Sequence, residues 1–122
     1  NLNNFIKLKG NVKDVLDIYN NYSIFVMTSL YEGLPMVLLE AQSAGLPVVS
    51  FNCPTGPSEI VENGVNGIIV QSYDVEKMAE VLGYLMDNKE LRKYYASNAR
   101  INLHRYDKEN VMKKWVELFE KI

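Results

Sequence analysis

Short apolar runs separated by turn residues dominate the sequence and predict strands that alternate with helices. Strands are predicted at residues 5–8, 23–28, 47–51 and 68–70. The run at 23–28 reads Ser-Ile-Phe-Val-Met-Thr and has no polar alternation, which is typical of a strand covered on both faces in a parallel sheet. The pairs Asn63-Gly64 and Asn66-Gly67 indicate tight turns before the last of these strands.

The segments between and after these runs carry apolar residues at helical spacing. A short amphipathic helix is predicted around Val15 and Leu16. A second helix, residues 36–44, follows Pro35, which suits a first helical turn, and ends before Gly45. The remaining helices are predicted at residues 74–86, with Asp74 as the cap, 89–102 and 108–122. This alternation predicts one α/β domain with a mainly parallel sheet and flanking helices.

Composition and charge narrow the classes of function. The chain has 122 residues, the size of one small domain, and its net charge of −2 argues against a nucleic-acid partner. Its single cysteine, Cys53, cannot form an internal disulfide and offers no metal cluster, which favours a reducing compartment. We expect no metal, no tightly bound cofactor and a cytoplasmic protein, with peripheral attachment to the inner face of the membrane left open.

The most informative segment, residues 29–36, follows a predicted buried strand and leads into a helix. In open α/β sheets, ligands bind beyond the carboxyl ends of the strands, near helix N termini. The backbone N–H groups that lack a helical partner there are those of Gly33, Leu34, Met36 and Val37. With the helix dipole, they predict a seat for a diphosphate that needs no Lys or Arg.

Glu32 and Glu40 flank this seat, the first in the loop and the second just over one turn inside the helix. A carboxylate accepts hydrogen bonds from two vicinal hydroxyls, so each glutamate could hold a sugar ring. Two glutamates at this spacing are also common as solvated helix charges, so the pair alone is not specific. Glu40 is more informative because it lies in an apolar stretch that we expect to be largely buried, and a buried carboxylate needs partners.

Residues 29–41, Ser-Leu-Tyr-Glu-Gly-Leu-Pro-Met-Val-Leu-Leu-Glu-Ala, resemble the Glu-x7-Glu motif of retaining glycosyltransferases with the GT-B fold, specifically family 4. The same order and spacing continue at residues 44–49, 56–60, 66–70 and 105–107. The resemblance covers essentially the whole chain and implies a Rossmann-like domain, the C-terminal part of a GT-B enzyme. Residues 53–60 are also similar to members that build bacterial surface polysaccharides.

The resemblance implies a role for each matching residue. Glu40 would bind the ribose hydroxyls of the donor nucleotide, and Glu32 would be the catalytic residue that faces the transferred sugar. The amides that would contact the sugar and the pyrophosphate are those of Gly33, Leu34, Met36 and Val37. A looser correspondence places the base beside Lys9, Gly10 and Asn11. The donor would be a nucleotide-diphosphate sugar, very often UDP-linked, and the departing phosphate would assist attack by the acceptor on the same face.

Two parts of the family pattern have no counterpart in this chain: the acceptor-side domain and the first part of the donor domain, with its Arg/Lys pair. We therefore expect residues 1–122 to be a single truncated domain with weak donor binding and no turnover. A glycan or lipid-linked acceptor would meet the missing N-terminal domain. In the strand order 3-2-1-4-5-6, two strands beside residues 23–28 would be absent. We predict that this edge is covered by rearrangement or by a second copy of the chain.

Two other functions remain open at this point. A nucleotide-sugar epimerase shares the two-domain architecture but needs no acceptor. A non-catalytic fragment would keep nucleotide affinity and act as a binding or assembly module. The agreement of the motif with its downstream blocks in order and spacing favours the glycosyltransferase.

Overall fold

A three-stranded parallel sheet lies at the centre of the computed structural model, which describes residues 2–122. Its strands are β1 (Phe25–Met27), β2 (Val48–Asn52) and β3 (Gly67–Gln71), and β2 lies in the middle. Val26 lies opposite Val49, and Val49 lies opposite Ile68. All three strands run in the same direction, so their carboxyl ends meet at one edge. The predicted class, an α/β fold with a parallel sheet and flanking helices, is confirmed.

Six helices described in residues 2–122 surround the sheet. They are α1 (Val15–Tyr19), α2 (Met36–Ser43), α3 (Pro57–Ile60), α4 (Val75–Asp87), α5 (Lys89–Leu103) and α6 (Lys108–Phe119), with a short 3₁₀ turn at His104–Tyr106. Asp74 caps α4 as predicted, because its carboxylate accepts the N–H of Lys77 at 2.9 Å. Asn88 caps α5 in the same way, accepting the N–H of Leu91 at 2.9 Å.

Two apolar cores cover the two faces of the sheet. The first lies among α1, α2 and α3, where Leu38 and Ile60 are fully buried. The second lies among β3, α4 and α5, where Leu85 is fully buried. Strand β2 serves both, with Val48 in the first core and Val49 in the second. Burial on both faces explains the continuous apolar run of β2, as expected for the central strand of a parallel sheet.

The strand predicted at residues 5–8 is wrong. These residues are irregular and exposed, with 83% of Phe5 and 96% of Leu8 accessible to solvent. A strand must pair its backbone N–H and C=O groups, and no strand within residues 2–122 lies beside this segment. The apolar pattern is therefore present in the sequence without the neighbour that would turn it into a strand.

The outer edge of β1 is unpaired among the described residues, since β1 pairs only with β2. The expected rearrangement that would cover this edge is not seen within residues 2–122, and coverage by a second copy stays a prediction. The prediction that residues 23–28 are covered on both faces is wrong at Val26, which is 39% exposed. On that face, α4 packs on β2 and β3.

The last helix, α6, keeps an apolar face that no core covers. The rings of Trp115 and Phe119 stack with their centroids 5.8 Å apart, yet both side chains are at least half exposed. This face of α6 is therefore part of neither core. No helix of residues 2–122 combines the length and the apolar character that crossing a membrane requires.

Gln42 in α2 is the clearest target for a test of the packing. It is fully buried, and neither its Nε2 nor its Oε1 has a hydrogen-bond partner among residues 2–122. A buried amide without partners costs about 1–3 kcal/mol. We expect Gln42→Met, which keeps the shape without the amide, to raise the free energy of unfolding in urea by about 1 kcal/mol.

The matched control is Gln42→Glu, which has the same shape and should lower the free energy of unfolding because it buries a charge. A Gln42→Met variant no more stable than the wild-type chain would contradict the expectation, since the amide would then have partners in solution.

Candidate functional site

The loop that joins β1 to α2 carries a set of unpaired backbone amides. Pro35 is the cap residue of α2 and offers no side-chain hydrogen bond, and the N–H of Leu38 is the first to bond back, to the carbonyl of Pro35 at 3.0 Å. The preceding N–H groups without an acceptor among residues 2–122 are those of Gly33, Leu34, Met36 and Val37. All four of these residues are exposed. The expected set of unpaired amides is therefore present, and their contact with a diphosphate stays a prediction.

Glu40 lies just over one turn into α2 and is half buried. It lines an open cavity of about 340 Å³. The other residues that line this cavity are Met36, Leu39, Ser43, Leu103, Tyr106 and Asp107. The expected burial holds for Leu39 and is wrong for Met36 and Val37, which are 55% and 39% exposed, because α2 turns only one side toward the sheet.

Tyr19, at the end of α1, lies near Glu40. Burial raises the pKa of the Tyr19 phenol, and the Glu40 carboxylate raises it further because a negative charge disfavours the phenolate. The phenol ring packs edge-on against Phe25, with the ring centroids 5.5 Å apart. The apolar spacing of α1 identifies Tyr19 only as a packing residue, and nothing in the sequence indicates its proximity to Glu40.

Glu32 is half buried in the loop, and a second loop holds its backbone. The hydroxyl of Thr55, which follows β2, donates to the carbonyl of Glu32. Gly56 lies directly against the same segment: a Cβ on it would lie 2.6 Å from the carbonyl oxygen of Gly33 and would overlap the ring of Pro35. Nothing in the sequence predicts this contact, because the two loops are distant in sequence.

The residues predicted beside the base are Lys9, Gly10 and Asn11. They are exposed and irregular, and no hydrogen bond in the described part of the chain joins them to residues 32–40. Their role at the base stays a prediction.

Side chains that could bind a metal do not converge within residues 2–122, where no group of three or more His, Cys, Asp or Glu residues is found together. Cys53 is buried, and its thiol lies 3.8 Å from the carbonyl oxygen of Thr55. That the site works without a metal stays a prediction.

Comparison with known proteins gives a consistent result. Residues 1–102 match the sequence profile of the family described as "Glycosyl transferases group 1". The amylovoran biosynthesis glycosyltransferase AmsD of Erwinia amylovora is 38% identical over 106 residues, which are 87% of this chain and 30% of AmsD. The chain thus spans less than a third of the length of this relative.

Two solved structures share the fold. A mutant of Staphylococcus aureus TarM, in complex with fondaparinux, alpha-GlcNAc-glycerol and UDP, superposes with a TM-score of 0.90 at 31% identity. This match covers 97% of the present chain and 24% of TarM. HepE of Anabaena, in complex with UDP and glucose, superposes with a TM-score of 0.87 at 26% identity and covers 99% of this chain and 33% of HepE.

The proximity of Tyr19 and Glu40 can be tested by titration. Glu40→Gln removes the negative charge, so we expect the Tyr19 pKa to fall. It should stay above that of an exposed tyrosine, because burial, the larger cause, remains. The measurement is an NMR titration of the Tyr19 ring from about pH 9 to 12, over the range in which circular dichroism shows a folded chain.

Glu32→Gln is the matched control for this titration, and it should leave the Tyr19 pKa unchanged, since Glu32 does not contribute to the shift. Equal Tyr19 pKa values in the wild-type chain and in Glu40→Gln would mean that the two side chains are farther apart in solution.

Proposed function

The chain belongs to the glycosyl transferases group 1 family, and from this membership we propose that it is the donor-binding part of a retaining glycosyltransferase of family 4. The whole protein would transfer a hexose from a nucleotide-diphosphate sugar, UDP-linked, to a glycan or lipid-linked acceptor. The likeness to a glycosyltransferase of amylovoran biosynthesis supports a role in making a polysaccharide. Residues 32–40 supply the Glu-x7-Glu motif of this proposal.

The observation that carries the proposal is the row of unpaired amides at the N terminus of α2. Four N–H groups have no acceptor among residues 2–122: two precede α2 and two lie in its first turn, where the helix dipole adds partial positive charge. Such a row suits the oxygens of a diphosphate. The loop itself contains no Lys or Arg, so its backbone amides would bind the diphosphate without help from a cationic side chain of the loop.

Glu32 precedes this row and Glu40 follows it within α2, and we therefore assign them to opposite ends of the donor. Glu40 lines the cavity beside α2 and would accept hydrogen bonds from the ribose hydroxyls. Glu32 precedes the amides and would face the hexose. The complexes of TarM with UDP and of HepE with UDP and glucose support a uridine nucleotide as donor.

The chemistry assigned to this site is transfer with retention at the anomeric carbon. The leaving diphosphate would accept hydrogen bonds from the amides. These bonds would stabilise the negative charge that develops on the diphosphate as its bond to the anomeric carbon breaks. The acceptor would attack from the same face, assisted by the departing phosphate. Glu32 would orient the sugar and stabilise its developing positive charge, and it is not assigned as a covalent nucleophile.

The chain by itself should bind the donor weakly. The cavity beside Glu40 is lined by two acids, Glu40 and Asp107, and by no Lys or Arg. Without cationic side chains, the charge of a diphosphate is balanced only by backbone dipoles. We propose that the rest of the protein supplies the cations and the acceptor site.

The ribose contact is tested by titration of UDP and 2′-deoxy-UDP into the wild-type chain and into Glu40→Gln. A hydrogen bond to a charged group contributes about 1.5–3 kcal/mol, so we expect the wild-type chain to bind UDP at least tenfold more tightly than 2′-deoxy-UDP. In Glu40→Gln, UDP affinity should fall by about the same factor, and the preference should largely disappear. Calorimetry gives each dissociation constant, or NMR shift titration where binding is weak.

Glu76→Gln is the control variant, since Glu76 is an exposed carboxylate on α4, the helix that packs on the opposite face of the sheet. It should keep the wild-type preference. A preference for UDP that survives in Glu40→Gln would remove Glu40 from the ribose site.

The sugar contact is tested by comparing UDP-glucose with UDP. We expect Glu32→Gln to reduce the affinity for UDP-glucose about tenfold while leaving the affinity for UDP unchanged, because Glu32 is assigned to the hexose alone. Glu40→Gln should instead weaken both ligands. Equal losses of UDP and UDP-glucose in Glu32→Gln would contradict the assignment.

A further inference from the structure

We propose that Thr55 and Gly56 are positioning residues that set the backbone of residues 32–35 for the sugar end of the donor. They would not touch the donor themselves. This inference rests on the proposed function, because it deepens the role of the loop that carries Glu32. The parallel sheet brings the loop after β1 and the loop after β2 into contact.

Thr55 restrains the loop through a carbonyl group. Its hydroxyl donates to the backbone carbonyl of Glu32, so the bond leaves every N–H of the loop free for a ligand. The thiol of the buried Cys53 makes a weak contact with the carbonyl oxygen of Thr55, at 3.8 Å. The hydroxyl bond therefore links Glu32 to the loop that follows β2.

Gly56 restrains the loop by close packing. It adopts a φ of +94°, which favours glycine, and it packs directly beneath the loop. A Cβ at this position would lie 2.6 Å from the carbonyl oxygen of Gly33 and would also overlap the ring of Pro35. Any side chain at position 56 would therefore push the segment outward, and glycine allows the close approach.

The second loop is in turn anchored by the end of α5 and the 3₁₀ turn. The side-chain amide of Asn102 donates to the carbonyl of Ile60 at 3.0 Å, and the hydroxyl of Tyr106 donates to the carbonyl of Glu59 at 2.9 Å. Arg105 also donates to the carbonyl of Glu59. Residues 55–60 thus form a bridge, fixed by α5 at one end and in contact with the donor loop at the other.

The first experiment measures the conformation and the order of the loop by NMR, without any ligand. We expect Thr55→Val, which keeps the shape and removes the hydroxyl, to shift the amide resonances of Gly33 and Leu34 and to lower their NMR order parameters. Thr55→Ser keeps the hydroxyl and should restore both. Ser72→Ala is the control, because it removes another hydroxyl-to-carbonyl bond at this edge, to Asn52, and should leave Gly33 and Leu34 unchanged.

A second pair of variants tests the close contact between Gly56 and the loop. Gly56→Ala should shift the same amides, because its Cβ meets the loop. Gly64→Ala is the matched control: Gly64 also has a positive φ, +80°, but nothing lies within 4 Å of its Cβ position. It carries the backbone strain without the contact and should leave the amides of Gly33 and Leu34 in place.

The second experiment measures the affinities for UDP and UDP-glucose by titration. In Thr55→Val, the affinity for UDP-glucose should fall about fivefold. The affinity for UDP should fall less, because the amides of Gly33 and Leu34 are assigned to the diphosphate of both ligands, whereas Glu32 is assigned to the hexose alone. Thr55→Ser should restore both affinities. A purely structural defect would weaken both ligands equally.

Each outcome decides a separate point. Unchanged Gly33 and Leu34 amides in Thr55→Val, or a Thr55→Ser variant that behaves like Thr55→Val, would overturn the positioning role. Equal losses of UDP and UDP-glucose would overturn the link to the sugar. A loosened loop in a chain whose wild type binds neither nucleotide would support the contact between the loops and would contradict the weak donor binding proposed for this chain by itself.

Discussion

The parallel pairing of β1, β2 and β3 is the constraint on which the site depends. Because all three strands run the same way, the chain leaves β1 and β2 at the same edge of the sheet. Residues 28–35 and 53–57 therefore become neighbours, although a whole helix and strand separate them in sequence. A ligand site at this edge is built from two loops at once, and the geometry of each depends on the other.

A loop that offers its amides to an anion must satisfy two opposing requirements: its backbone has to be held in place, and its N–H groups have to stay unpaired. The structure meets both by holding the loop at its carbonyls. Thr55 bonds the carbonyl of Glu32, and the N–H of Leu38 bonds the carbonyl of Pro35. Gly56 adds a close contact that uses no hydrogen bond. The donors remain free because the restraints use the other half of the peptide group.

Local features of the fold could be predicted from the sequence, and contacts between distant segments could not. Strand β2 follows from its apolar run, and α4 follows from its cap, Asp74, because both signals lie within the element. The apolar pattern of residues 5–8 is equally local, but a strand also needs a neighbour, and the described chain has none for it. The glutamates could be identified from their motif, whereas Tyr19 and Thr55 could not, since their roles arise from packing between elements far apart in sequence.

The alternation of β2 has a consequence for how the chain unfolds. The helices around α2 and the helices around α4 form separate cores, and β2 is the strand whose neighbouring valines, Val48 and Val49, enter one core each. Unfolding of β2 would expose both cores at once and would therefore disrupt both faces of the sheet together. The central strand thus couples the stability of the two cores.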